Sequence, residues 1–97
     1  MSVVFREEAL ADLDEISRYI SRSDPRQADR VIQRIHNVIF GVLDVLPSAG
    51  RLDQTNNTRE FAVPGLPYLV IYQSIADVID VIAVFHTSRD PATKRKP

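Results

Sequence analysis

The sequence predicts an α+β domain: one short N-terminal strand, an antiparallel helix hairpin, and a three-stranded antiparallel meander packed on the helices. Two observations carry this prediction. Residues 7–46 repeat apolar side chains at three- and four-residue steps, the period of helices with one buried face. Residues 58–86 instead alternate β-branched and aromatic residues, broken by Pro64-Gly65 and by Ile75–Asp77.

Val3–Phe5 is short and β-prone and is expected to lie in the sheet formed later. Glu7–Ser21 reads as the first helix, with Leu10, Leu13, Ile16 and Ile20 on one side and acids in its first turn. Asp24 can cap the second helix, Pro25 suits its first position, and Gln27 stands where a capping box places Glu or Gln. An apolar stripe then runs from Ala28 through Val31, Ile35, Val38 and Ile39 to Leu46, where Pro47 ends it. Ser48–Asn57 is polar and reads as a loop. Thr58–Val63 alternates and places Arg59, Phe61 and Val63 on one face. Tyr68–Ser74 and Val78–His86 form a hairpin around a three-residue connection. Simple alternation then turns Leu69, Ile71, Ile79, Val81, Ala83 and Phe85 toward the helices. It turns Tyr68, Val70, Tyr72, Ile82 and Val84 to the second face, an apolar surface that invites a partner.

The bulk numbers narrow the class. Ninety-seven residues make one domain, 1–97, with 44% hydrophobic and 26% charged residues. There is no cysteine, which excludes disulfides and thiolate metal sites and fits a reducing compartment. No apolar run approaches a membrane span, so a cytoplasmic protein with no membrane partner is expected. The net charge of −1 is uneven: the first 24 residues hold six acids against three arginines. The end holds Arg89, Lys94, Arg95 and Lys96 against Asp90, giving a basic tail over about 92–97.

Few residues carry chemistry. His86, at the end of the last strand, suits proton transfer near neutral pH or a hydrogen bond closing the strand end. Arg59 shares a face with Phe61 and Val63, as a bridge toward the Glu60 neighbourhood or Asp90, or as an anchor for a partner. Arg51 either orients its loop or contacts a partner. Arg89-Asp90-Pro91 reads as a turn, with Arg89 a further candidate cation. Tyr68 and Tyr72, two residues apart, either stack on bases or pack on a neighbour. Arg26, Arg30 and Arg34 repeat every four residues along the second helix, a nucleic-acid stripe or a solvated face. His36 has no ligand at useful spacing, so neither a metal site nor any other cofactor is expected.

The order of motifs is more specific than any one of them. ALADLDEISRYI opens the first helix, LPSAGR follows the second, and TREFAVPGLPYLVIY leads into DVIDVIAVFHTSRDP. In this order and spacing the chain resembles the ParE branch of the RelE/ParE toxin superfamily. The resemblance implies the toxin of a bacterial type II toxin–antitoxin operon, of the plasmid-stabilisation kind. Its cognate antitoxin, encoded beside it, would wrap a C-terminal segment around the toxin and bind operator DNA through its own N-terminal part. For the ParE branch the implied action is inhibition of DNA gyrase by protein binding. For the RelE branch it is ribosome-dependent endonucleolytic cleavage of messenger RNA. Here Tyr68 stands where RelE-type interferases carry a catalytic arginine, and no tyrosine follows Val84-Phe85-His86-Thr87. An RNase reading would therefore rest on His86, Arg59 and Arg89. A third reading is a non-toxic relative that binds an antitoxin as a regulatory partner. The surface implied for partner binding comprises Tyr68, Val70, Tyr72, Ile82, Val84, Arg51, Arg59 and Arg89.

Overall fold

The computed structural model describes residues 2–88; Arg89, Asp90 and the basic tail lie outside that range. The chain runs β1 (Ser2–Phe5), α1 (Glu7–Ser21), α2 (Pro25–Val38), a π-helical turn (Ile39–Leu43), a 3₁₀ turn (Pro47–Ala49), then β2 (Arg51–Asp53), β3 (Thr58–Ala62), β4 (Tyr68–Ile75) and β5 (Val78–His86). The five strands form one sheet in the order β1-β5-β4-β3-β2. β1 lies parallel to β5 and every other pairing is antiparallel. The α+β prediction therefore holds, with one strand more than the expected meander.

Asp24 caps α2 as its sequence suggested: the carboxylate accepts from the backbone N–H groups of Arg26 and Gln27 at 3.1 and 3.2 Å. The reciprocal half of a capping box has no work to do. Asp24 N–H already donates to Ile20 O at 2.9 Å, and Gln27 Oε1 accepts from Arg30 instead. Near its end the second helix loosens. Asp44 N–H reaches back five residues to Ile39 O, and Leu46 leaves helical geometry before Pro47. Between β3 and β4, Val63–Leu66 makes a turn closed by Leu66 N–H to Val63 O, with Gly65 at φ 78° in a conformation that favours glycine.

The helices cover one face of the sheet. Ala9, Leu13 and Ile16 of α1 join Val31, Ile35 and Val38 of α2, followed by Ile39 and Leu43, over Tyr68, Val70, Tyr72, Ile79, Val81 and Val84. This corrects the expected facing. Tyr68, Val70, Tyr72 and Val84 belong to the core, while Leu69 and Ile71 lie half-buried on the other side.

Two single-residue effects produce the reversal. The β4–β5 loop has two residues, Ala76 and Asp77, both at positive φ, because Ile75 pairs with Val78. One residue fewer in the loop shifts β4 against β5 and exchanges its faces. Farther along, Tyr72 pairs with Val81 but Ile71 with Ala83, so Ile82 is the extra residue of a β-bulge. The bulge lets Ile79 and Val81 face the helices and then sends Ala83 and Phe85 to the opposite face.

Candidate functional site

β2 was expected to be loop, and its presence explains the LPSAGR motif. Asp53 pairs with Thr58, and its carboxylate accepts from Thr55 N–H at 3.0 Å and from Asn56, so the strand turns back through a side-chain-supported loop with Asn57 at φ 55°. Upstream, the turn into β2 is tied to β3 and β4. The buried Tyr72 hydroxyl donates to Pro47 O at 2.7 Å and accepts from Gly50 N–H at 2.8 Å. Arg59 Nη1 donates to Gly50 O at 2.8 Å and lies 3.5 Å from Ser48 O. A Cβ on Gly50 would sit 2.6 Å from the Tyr72 hydroxyl, so only glycine fits beneath this bond. Burial pushes the Tyr72 phenol above its ordinary pKa, opposed by the Gly50 hydrogen bond and the nearby Arg59 charge.

Among the described residues Arg59 therefore bridges to main-chain carbonyls rather than to Glu60, and Asp90 lies outside them. Tyr68 and Tyr72 offer no face for a base to stack on. Sequence reasoning could not see this knot because its members, Pro47, Gly50, Arg59 and Tyr72, lie far apart in the chain. Arg51 is exposed and stands opposite Glu60 in the β2–β3 ladder.

At the other end of β5, His86 is half-buried and sits edge-on to the Tyr68 ring, with centroids 5.3 Å apart. Its Nδ1 accepts from Ser88 N–H at 3.1 Å, and Thr87 N–H bonds Pro67 O at 2.8 Å. The imidazole thus closes the strand end. Arg59 belongs to the knot with Gly50 and Tyr72, and His86 packs on Tyr68; Arg89 lies outside the described residues.

One buried acid went unnoticed in the sequence. Asp12 is only 4% exposed, and its Oδ2 accepts from Val84 N–H at 2.9 Å. β1 ends at Phe5, beside Val81, so among the described residues the flank of β5 beyond that point has no strand against it. α1 supplies Asp12 there, satisfying a backbone donor next to the bulge. The signal was available: Asp12 falls between Ala9, Leu13 and Ile16 on the buried side of α1. An open depression of about 570 Å³ runs along α1 past Glu8, Asp12, Glu15, Arg18 and Tyr19. Its one buried carboxylate is already engaged with Val84.

The face turned away from the helices carries a smaller groove of about 170 Å³. Ile71, Ile82, Ala83 and Phe85 form its apolar floor, and Glu8, Asp53 and Glu60 stand at its rim. Of the apolar residues expected to meet a partner, Ile82 alone lies here. Among the described residues no cluster of His, Cys, Asp or Glu could hold a metal ion. Nor is any helix of the described residues long and apolar enough to cross a membrane.

An N-terminal strand, a helix pair and a C-terminal antiparallel sheet packed on it match the architecture of the RelE/ParE toxin class. In the chromosomal ParDE system of P. aeruginosa, a chain superposes with a TM-score of 0.76 at 23% identity, covering 89% of this chain and 95% of that one. The isolated E. coli RelE toxin gives 0.58 at 18% identity over 96% and 90%. A chain of the intact E. coli RelBE toxin–antitoxin complex gives 0.57 at 18% over 91% and 98%. These likenesses show the fold. Within that class, the family model of the ParE toxin of the type II toxin–antitoxin system, parDE, matches residues 3–91, and the chain belongs to this family. The protein Y4kP of Sinorhizobium fredii is 36% identical over 78 residues, covering 80% of this chain and 79% of its own. By that membership the chain is the toxin component of a type II toxin–antitoxin system.

Proposed function

We propose that this toxin acts by binding DNA gyrase, as the ParE resemblance implies, and that its antitoxin blocks that encounter. One observation carries the choice over RNA cleavage: Arg59, the described candidate for a phosphate-binding cation, spends its guanidinium on the carbonyls of Ser48 and Gly50. RNA cleavage needs a base, an acid and cations free to meet the charge that develops on the phosphate. Tyr68, at the position of the interferase arginine, is buried beside His86. A protein-binding toxin needs no such constellation, only a stable surface. The outer groove, with Ile82 in its floor, is the proposed seat of an antitoxin segment.

The test is supercoiling by purified gyrase on relaxed plasmid. Added toxin should reduce supercoiling, and equimolar antitoxin should restore it. Undiminished supercoiling at large toxin excess, with cuts in translated messenger RNA that vanish in His86→Ala, would instead establish the RelE-type reading. Normal growth on expressing the toxin alone would favour a non-toxic relative.

A further inference from the structure

Arginines recur at every fourth position across the helix hairpin: Arg18 and Arg22 on the α1 side, Arg26, Arg30 and Arg34 on α2, all exposed. Between Arg18 and Arg34 only Asp24 and Asp29 oppose them, leaving a local net charge of +3 in a chain whose total is −1. Glu7–Ser17, the other half of α1, holds five acids and no basic residue. The helix layer is therefore electrically polarised, with its cationic end at the hairpin.

Most of these cations lack a carboxylate partner. Arg18 pairs with Asp14. Arg22 lies 6.0 Å from the Tyr19 ring centroid, Arg30 bonds Gln27 Oε1 through Nε and Nη2, and Arg34 Nη2 donates to Pro64 O at 3.0 Å. Among the described residues none of Arg22, Arg26, Arg30 and Arg34 forms an ion pair. On α2, the positions three and four residues from Arg30 are Arg26, Gln27, Gln33 and Arg34; those around Arg34 are Arg30, Val31, Asn37 and Val38. Like charges four apart destabilise a helix, and among the α2 positions three or four residues from these arginines the one acid is Asp29, beside Arg26.

We propose that this arginine surface binds the phosphate backbone of duplex DNA. Arg26 to Arg34 spans two steps of about 6 Å along the helix axis, a straight row of guanidinium forks suited to bidentate contact with phosphates. Along the row Gln27 and Gln33, with Asn37 just beyond it, add neutral hydrogen-bonding groups and Asp29 a single acid, without an exposed apolar or aromatic centre on this stretch of α2. A protein interface is built around such a centre, whereas a phosphate contact does without one. The acidic half of α1 keeps DNA at the hairpin end, so the contact is oriented and weak. Its setting, DNA held by gyrase, rests on the function proposed above; the contact itself does not.

Fluorescence anisotropy of the full chain with a labelled duplex of about 20 base pairs, titrated from 20 to 200 mM KCl, provides the test. Three to four phosphates neutralised give a log–log salt slope of about −3. R26Q/R30Q/R34Q should flatten that slope by two or more and weaken binding at least tenfold at the lowest salt, while circular dichroism reports an intact fold. R30Q/R34Q, a milder change, should fall between. K94Q/R95Q/K96Q should leave the slope unchanged. No salt-dependent binding, binding lost with the tail variant alone, equal competition by polyglutamate, or tenfold preference for duplex RNA would each overturn the proposal. Duplex binding by the wild type with gyrase unaffected would refute the gyrase reading while leaving this surface assigned.

Discussion

Replacing Tyr72 by Phe removes one oxygen atom and, with it, both bonds that tie the Pro47–Gly50 turn to the centre of the sheet. The ring stays, so no cavity opens. What is lost is a donor to Pro47 O and an acceptor for Gly50 N–H at a site where Tyr72 is 0% exposed. Two hydrogen bonds at about 1 kcal/mol each, plus the cost of a buried N–H left without a partner, give a loss of about 2–4 kcal/mol. In a domain of this size that lowers the melting temperature by roughly 10–20 °C. Urea and thermal unfolding followed by circular dichroism measure it, with Tyr19→Phe on the exposed face of α1 as a control expected within about 0.5 kcal/mol of wild type. The same hydroxyl fixes an alkaline limit. Because burial raises the folded-state pKa, the unfolded chain loses its proton first; stability is complete below the unfolded value of about 10 and falls as pH rises through the folded one. Tyr72→Phe should abolish that part of the alkaline dependence. A Phe variant that melts within about 0.5 kcal/mol of wild type would refute the claim that this knot holds the turn.

Asp12→Ala leaves Val84 N–H buried without its acceptor and should cost about 2–4 kcal/mol, whereas Asp12→Asn, whose amide oxygen can still accept, should cost less; chemical denaturation separates the two. Ala76→Asn with Asp77→Gly, at φ 50° and 65°, should stabilise the protein by about 1 kcal/mol in the same assay, because those residues suit a two-residue hairpin loop. Val70→Asp places a charge at a fully buried core position and should abolish cooperative melting, at a cost of several kcal/mol. Ile82→Asp, on the half-buried outer groove, should fold and weaken antitoxin binding at least tenfold by calorimetry.

The last two outcomes differ for a reason that sequence alone could not supply. Helices were readable because their signals are local: the period of α1, the Asp24 cap and the Leu46-Pro47 stop each lie within a few residues. The presence of β3, β4 and β5, and their ends to within one residue, were readable on the same grounds. Strand facing was not, because it depends on register, and register depended on one residue in the Ala76-Asp77 loop and one at Ile82. Both faces of β4 and β5 are apolar, so hydrophobicity offered no check on which of them the helices cover. β2 escaped because three residues, only Leu52 of them apolar, carry no period.

The motifs through which the chain resembles its family gain meaning from the knot. LPSAGR contributes Pro47, Ser48 and Gly50, TREF contributes Arg59, and YLVIY contributes Tyr72; hydrogen bonds gather all five at one place. Their order and spacing follow from geometry. Gly50 must have no side chain because Tyr72 passes over it, and Arg59 must lie on the core-facing side of β3, opposite Tyr72, to reach the same carbonyl. Arg59, a catalytic candidate in the sequence, is thus part of the fastening of a turn to a sheet. That leaves the outer groove and the arginine row as the surfaces proposed here to meet antitoxin and DNA.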